Sequence, residues 1–295
     1  PDLFKEEKNM GGLVINTNLS SLNSQRALEN SHRELGKSIN RISSGVKIEG
    51  ATDGVGELAL SESIRSDIAA LKQGSRNVKN GTALLNLAEG ALNELSGILL
   101  RLRSLASQNA NGTLAATERE TVNLEYQASL AEIDRIASST EFNGTFLLKG
   151  ALSKSATEHI VLQAGVDSKS VNQIDLNELA NLGDVGTSSL GLEGSEITTQ
   201  GSAFLALNDL TNSIDTILDA RGRLGTAQIR SMHAVDNLNV QVENLTAAVS
   251  TIKDVDLADE LTKLTKNQLL VQAGVAMVGQ ANINPQAALT LLEGV

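Results

Sequence analysis

The chain has 295 residues and a formal net charge of −11, with 41% hydrophobic residues but only 2% aromatic ones, no Trp, no Cys and one Tyr, Tyr126. The acidic balance argues against a nucleic-acid partner, which needs clustered Lys and Arg, and the missing Cys excludes a disulfide framework, a thiol nucleophile and a thiolate metal site. A core must therefore rest on Leu, Ile, Val and Ala, and the two prolines, Pro1 and Pro285, leave everything between them free to be helical.

In chain order, residues 1–12 read as an N-terminal extension. From Ile15 to Ile48 the apolar residues Leu28, Leu35, Ile39, Ile42 and Val46 repeat at steps of seven, four, three and four. That is a heptad seam, and a seam needs a partner helix. Ser43, Ser44 and Gly45 supply its stop. Residues 47–56 hold three glycines and read as a linker, with Asp53 placed to cap the helix that follows. Between Glu57 and Gln108 the stripe Ile64, Ile68, Leu71, Val78, Leu85, Leu92, Leu95, Leu99 and Leu102 predicts a helix of about 75 Å at 1.5 Å per residue. Asn109 to Thr117 is a turn, and Thr117 with Glu120 fits a capping box for a third helix ending near Ser139.

The period then shifts towards two. Phe142–Leu148 and His159–Val166 read as short strands of one hairpin, and 167–200 as loops with a helical turn near Leu176–Leu182. A long helix returns over Ser202–Lys253, carrying Val235, Leu238, Val242, Leu245, Val249 and Ile252. After a junction at Asp254 and Asp256 comes a last stripe, Leu257, Leu261, Leu264, Val271, Val275 and Val278, interrupted by Gln268. This is the nearest match for the N-terminal seam, so the two ends are expected to pair.

The expected fold is mainly α: an elongated antiparallel bundle of long helices with a small β element, its N- and C-terminal helices paired as a coiled coil. Residues 13–46 and 255–295 form the terminal coiled-coil domain in this reading. Residues 47–254 form a helical rod, with the β region at about 140–200.

Little points to chemistry. His32, His159 and His233 lie far apart, and neither HExxH nor a phosphate-binding loop is present. Asp254, Asp256, Asp259 and Glu260 read either as a hard-cation cluster or, more simply, as an acidic first turn favoured by the helix dipole. Asn-Gly-Thr triplets at 80, 111 and 143 match a glycosylation pattern and equally match turn chemistry. Gln268 and Asn282 either fix register at seam positions or face solvent. Arg101, Arg103, Gln108 and Glu125 share neighbouring faces if the second and third helices pack antiparallel. No apolar run reaches the length of a membrane span, no classical signal peptide opens the chain, and no catalytic set, metal or cofactor is expected.

The stretches INTNLSSLNSQRALENSHRELGKSINRISSGVKI and ATDGVGELALSESIRSDIAAL resemble the N-terminal region of bacterial flagellin. RNVKNGTALLNLAEGALNE, EIDRIASSTEFNGTFLL and LTKNQLLVQAGVAMVGQANINPQAALTLL are similar to flagellin as well. The resemblance spans roughly 13–165 and 202–292. It implies a subunit that polymerises into the flagellar filament for motility, with paired terminal helices lining the filament core and little or no outer variable domain. It further implies export through the flagellar secretion channel to an extracellular position, with a periplasmic flagellum as the alternative.

The partners implied are other copies of the chain, hook-associated and cap proteins, and an export chaperone on the C-terminal segment, with no membrane insertion. An innate-immune Toll-like receptor is a further partner, through Arg101, Gln108 and Glu125. Ser104 stands where many receptor-stimulating members carry Glu, and the close LLEGV departs from the usual Leu-Leu-Arg or Leu-Leu-Gln. The rival readings are a hook–filament junction protein, a secreted surface ligand or adhesin, and a flagellin-like enzyme with a mid-chain insert.

Overall fold

The computed structural model describes residues 18–293, with side chains to 283. The extension, the first residues of the expected seam helix and the side chains of the LLEGV close lie outside the described residues. The order is α1 (Leu19–Ser44), α2 (Val55–Asn109), α3 (Ala116–Ser139), β1 (Glu141–Phe142), β2 (Thr145–Phe146), β3 (Lys149–Leu152), β4 (Val161–Gln163), β5 (Gln173–Asp175), α4 (Leu176–Ala180), β6 (Leu182–Asp184), α5 (Gln200–Lys253) and α6 (Leu257–Glu293). A single 3-10 turn, Ser170–Asn172, precedes β5. Two compact units divide the chain between Ser63 and Ile64 and between Thr246 and Ala247.

The middle unit has a leucine core. Leu85, Leu92, Leu95, Leu99 and Leu102 of α2 are fully buried among Tyr126, Leu130 and Ile133 of α3 and Leu210, Ile217 and Leu224 of α5. On α5 large residues alternate with small ones (Ala203, Ala206, Ser213, Ala220, Ala227) at three–four spacing, so one heptad face is buried along its length. Tyr126, desolvated and therefore raised in pKa, keeps its hydroxyl satisfied at 2.8 Å from Ser195 Oγ.

At the α2–α3 turn, Asn109 and Arg119 hold each other. Asn109 Nδ2 donates to the Arg119 and Ile197 carbonyls, and the Arg119 guanidinium donates to the carbonyls of Asn109 and Asn111. α3 begins two residues earlier than expected, with Glu118 accepting the Ala115 N–H at 2.9 Å; the Thr117–Glu120 capping box does not form, because both residues are already inside the helix.

The β region is three two-stranded antiparallel ladders rather than one hairpin. β1 and β2 close on each other around Asn143 and Gly144, both with positive φ, the turn that matches strand twist. β3 instead pairs with β6, and β4 with β5. Buried Asn177 ties them, donating to the Ala151 and Ser153 carbonyls and accepting from the Ile160 N–H. β4 and the residues after it lie on α2 where glycine leaves room: a Cβ at Gly74 would overlap the Ala164 carbonyl, and one at Gly81 the Leu162 side chain. Asn77, between them, donates to the Gln163 carbonyl at 3.1 Å.

Candidate polymerisation interface

The other unit is built on α1 and α6, which run antiparallel. Asn18 caps α1 by accepting the Ser21 N–H, and its amide donates to the Ala281 carbonyl at 2.7 Å. Ser21 Oγ meets Asn282 Oδ1 at 2.8 Å. At the far end Gly45, at φ 74, stops α1. The chain there pairs with the α5–α6 junction: the Lys47 N–H donates to the Lys253 carbonyl at 2.6 Å, and the Val255 N–H to the Gly45 carbonyl at 3.1 Å. Asp256 caps α6, accepting the Ala258 N–H at 2.9 Å. Asp53 does not cap α2 as expected. It folds back to accept the Glu49 and Gly50 N–H groups and lies 3.5 Å from Arg41. Those amides first, and the guanidinium after them, hold its carboxyl below the usual carboxylate range.

The seam differs from the expected one in a regular way. On α1 the residues turned inward are Ser21, Ser24, Leu28, Ser31, Leu35, Ser38 and Ile42. On α6 they are Glu260, Leu264, Asn267, Val271, Gly274, Val278 and Ala281. Both follow three–four spacing. Leu28, Leu35, Ile42, Leu264, Val271 and Val278 are where sequence places them, and Val46 sits in the backbone bridge to Asp254. Ile39, Leu257, Leu261 and Val275 are off the seam and about half exposed, at 50%, 53%, 49% and 56%.

Beside its central stripe each helix turns a small or polar flank inward, and the opposite flank, Gln25, His32 and Ile39 on α1 and Leu261, Gln268 and Val275 on α6, faces away. The reason is closeness. A Cβ at Gly274 would stand 3.0 Å from Leu28 Cδ1, so this crossing tolerates no larger residue without a shift. The antiparallel register likewise brings Ser31 level with Val271 and Ser38 with Leu264. Gln268 is exposed and Asn267 takes the seam position, while Asn282 anchors register through Ser21.

The signal was present as Ser and Gly at heptad spacing, which a search for large apolar residues passes over. Charges edge the seam, where Lys263 lies 2.7 Å from Asp259 and 3.4 Å from nearly buried Glu260; at the end of α5, Lys253 lies 3.1 Å from Glu62 of α2.

α6 remains apolar on several faces. Leu257, Leu261, Leu269, Leu270, Val275, Met277 and Ile283 are all substantially exposed, as are Leu19, Leu22 and Ile39 on α1. Contiguous exposed apolar surface normally marks an interaction site, and α1 covers only one face of α6.

In the middle unit, Arg101 Nε donates to Glu125 Oε1 at 2.9 Å, and both side chains are about half exposed. Gln108 is exposed two turns along α2. The structure thus joins Arg101 to Glu125 and places Gln108 apart from that pair. No group of three or more His, Asp or Glu that could hold a metal stands together among the described residues, and no described helix is long and apolar enough to cross a membrane.

A closed inner seam with unclosed apolar flanks is the arrangement of a structural protein that associates with further chains. Family profiles described as the bacterial flagellin N-terminal helical region and C-terminal helical region match residues 15–153 and 207–292. The flagellar filament 33 kDa core protein of Treponema phagedenis is 38% identical, covering 95% of this chain and 100% of its own. A flagellin of Halalkalibacterium halodurans is 36% identical with the same coverage. A putative flagellar hook-associated protein of Vibrio parahaemolyticus shares the fold alone, at TM-score 0.52 and 16% identity over 65% of this chain and 96% of its own. The chain belongs to the bacterial flagellin family, whose members are structural subunits of the flagellar filament.

Proposed function

We propose that the outward apolar flanks of α1 and α6 are the surfaces through which copies of this chain join in the filament core. The observation that carries this is the orientation of the pair. Small residues close the intramolecular seam, while Ile39, Leu261 and Val275 are left outside it. Each half-exposed Leu, Ile, Val or Met has roughly 1 kcal/mol of burial still to gain, and association with further copies supplies it. A two-helix pair with a thin seam is marginal by itself, so its consolidation and polymerisation are coupled. The same outer face of α6 requires cover before assembly, which is the role of an export chaperone in this reading. Cap and hook-associated proteins engage it at the filament ends.

The test is seeded growth of filaments followed by electron microscopy, with helix pairing read separately by hydrogen exchange. Leu35→Asp should abolish growth and unzip α1 from α6. Ile39→Asp and Val275→Asp should abolish growth while leaving the pair intact. Normal filaments from both flank variants would overturn the proposal. For the receptor, we propose Arg101, Gln108 and Glu125 as the contact, with Ser104 on the same face withholding a carboxylate; Ser104→Glu should raise the response of receptor-reporter cells.

A further inference from the structure

We propose that Asn143 is a site of spontaneous deamidation, and that the fold makes it so. The triplet Asn-Gly-Thr occurs three times, at 80, 111 and 143. Because the local sequence is the same, only conformation separates the three. In the reaction the deprotonated Gly nitrogen attacks the Asn side-chain Cγ and ammonia leaves, giving a five-membered succinimide. Water then opens either carbon–nitrogen bond of that ring, yielding Asp or isoaspartate. One water is consumed and one ammonia released, with hydroxide serving as the base.

Exposure does not separate the sites, since Asn80, Asn111 and Asn143 are all exposed. Backbone restraint does. Asn80 and Gly81 lie inside α2, where the Gly81 N–H is held in the helix ladder, and Gly81 is pinned under Leu162. The ring cannot close there unless the helix opens. Asn111 lies in a turn but is held twice: its Oδ1 accepts the Thr113 N–H at 3.2 Å, and its carbonyl accepts the Arg119 guanidinium at 2.6 Å.

Asn143 has none of these restraints. It sits at φ 51 and Gly144 at φ 80, in a two-residue turn closed by the pairs Glu141↔Phe146 and Phe142↔Thr145, with the Leu147 N–H donating to the Thr140 carbonyl at 3.1 Å below them. Its side chain has no hydrogen-bond partner among the described residues, and a hairpin this short opens at low cost. Opening lets the Asn143 backbone rotate until Cγ reaches the Gly144 nitrogen. An isoaspartyl product lengthens the main chain of a two-residue turn and so breaks the register that holds Phe142 and Phe146.

The experiment is a time course of the full-length folded protein in mildly alkaline buffer, mapped by peptide mass spectrometry with fragmentation that separates Asp from isoaspartate. The same course is run in guanidinium. In the folded protein, Asn143 should convert about tenfold or more faster than Asn80, with Asn111 between them. In the unfolded chain the three rates should converge. Asn143→Gln should remove the fastest product and leave Asn111 unchanged. Equal rates at Asn80 and Asn143 in the folded protein would overturn the proposal. So would the same spread of rates in guanidinium, which would place the cause outside the fold.

Discussion

Two ways of packing long helices coexist in this chain. α1 and α6 approach so closely that their Cα atoms repeatedly come within 8 Å, whereas α2, α3 and α5 almost nowhere do so. The difference is side-chain size. Ser21, Ser31, Ser38 and Gly274 let two backbones meet, while Leu92, Leu95, Leu99 and Tyr126 hold theirs apart and fill the space between. A close seam of serines buries little apolar area, so that unit depends on what it meets outside itself. A leucine core buries more.

The largest effect expected from breaking this contrast is therefore in the middle unit. Leu99 is fully buried at the centre of its core. Leu99→Ala should cost about 2–5 kcal/mol, read as a shift in the urea midpoint. Leu35→Ala, on the half-open seam, should shift that transition far less while still raising the concentration needed for filament growth. Equal shifts would erase the distinction between the units.

Much of this was legible in the sequence, and the failures share one cause. Helix limits lie within a few residues of those expected, because Gly45 and Asp256 are local signals read from local chemistry. Leu28, Leu35, Leu264 and Val271 read as seam residues because they lie on the central stripe of each helix, and all four are half-buried. Ile39, Leu257, Leu261 and Val275 were assigned inward because large apolar residues are assumed to face the nearest partner. Where the residues facing the partner helix are small, that assumption selects the other flank. The pairing of β3 with β6 was hidden for another reason: it joins residues some thirty apart, and nothing in either segment names its partner.

A smaller effect, and one that changes sign, lies along α2. Gly74 faces the Ala164 carbonyl with no room for a Cβ, while Gly90 has nothing within 4 Å. Gly74→Ala must displace backbone and should destabilise by about 1–3 kcal/mol. Gly90→Ala, in the same helix, should stabilise by up to about 1 kcal/mol by removing the entropy that glycine loses in a helix. Thermal unfolding of the two variants checks this. If both were destabilising, the open side of Gly90 would have to be occupied.

The smallest effect is a pH dependence confined to the β4–β5 ladder. His159 Nδ1 lies 2.6 Å from Asp175 Oδ2, and Asp175 also caps α4 by accepting the Asn177 N–H at 2.9 Å. The Asp175 carboxylate raises the His159 pKa above its ordinary value, with Glu178 adding to it at longer range. Burial pushes Asp175 upward, but the His159 ring and the Glu178 and Asn177 N–H groups outweigh it and hold that carboxyl low. Because the His159 pKa is raised on folding, its contribution is fully present below the ordinary histidine value and is lost as pH climbs through the raised one. Asp175 stays ionised throughout that range, so the α4 cap persists. Amide exchange at Gln173–Asp175 should therefore quicken relative to α4 on passing from pH 6 to pH 9, beyond the intrinsic dependence, and His159→Gln should abolish the excess. With both side chains about a third exposed, at 33% and 28%, water screens the pair and the change stays local. A matching pH response in α1 or α6, which His159 does not touch, would overturn the assignment to this pair.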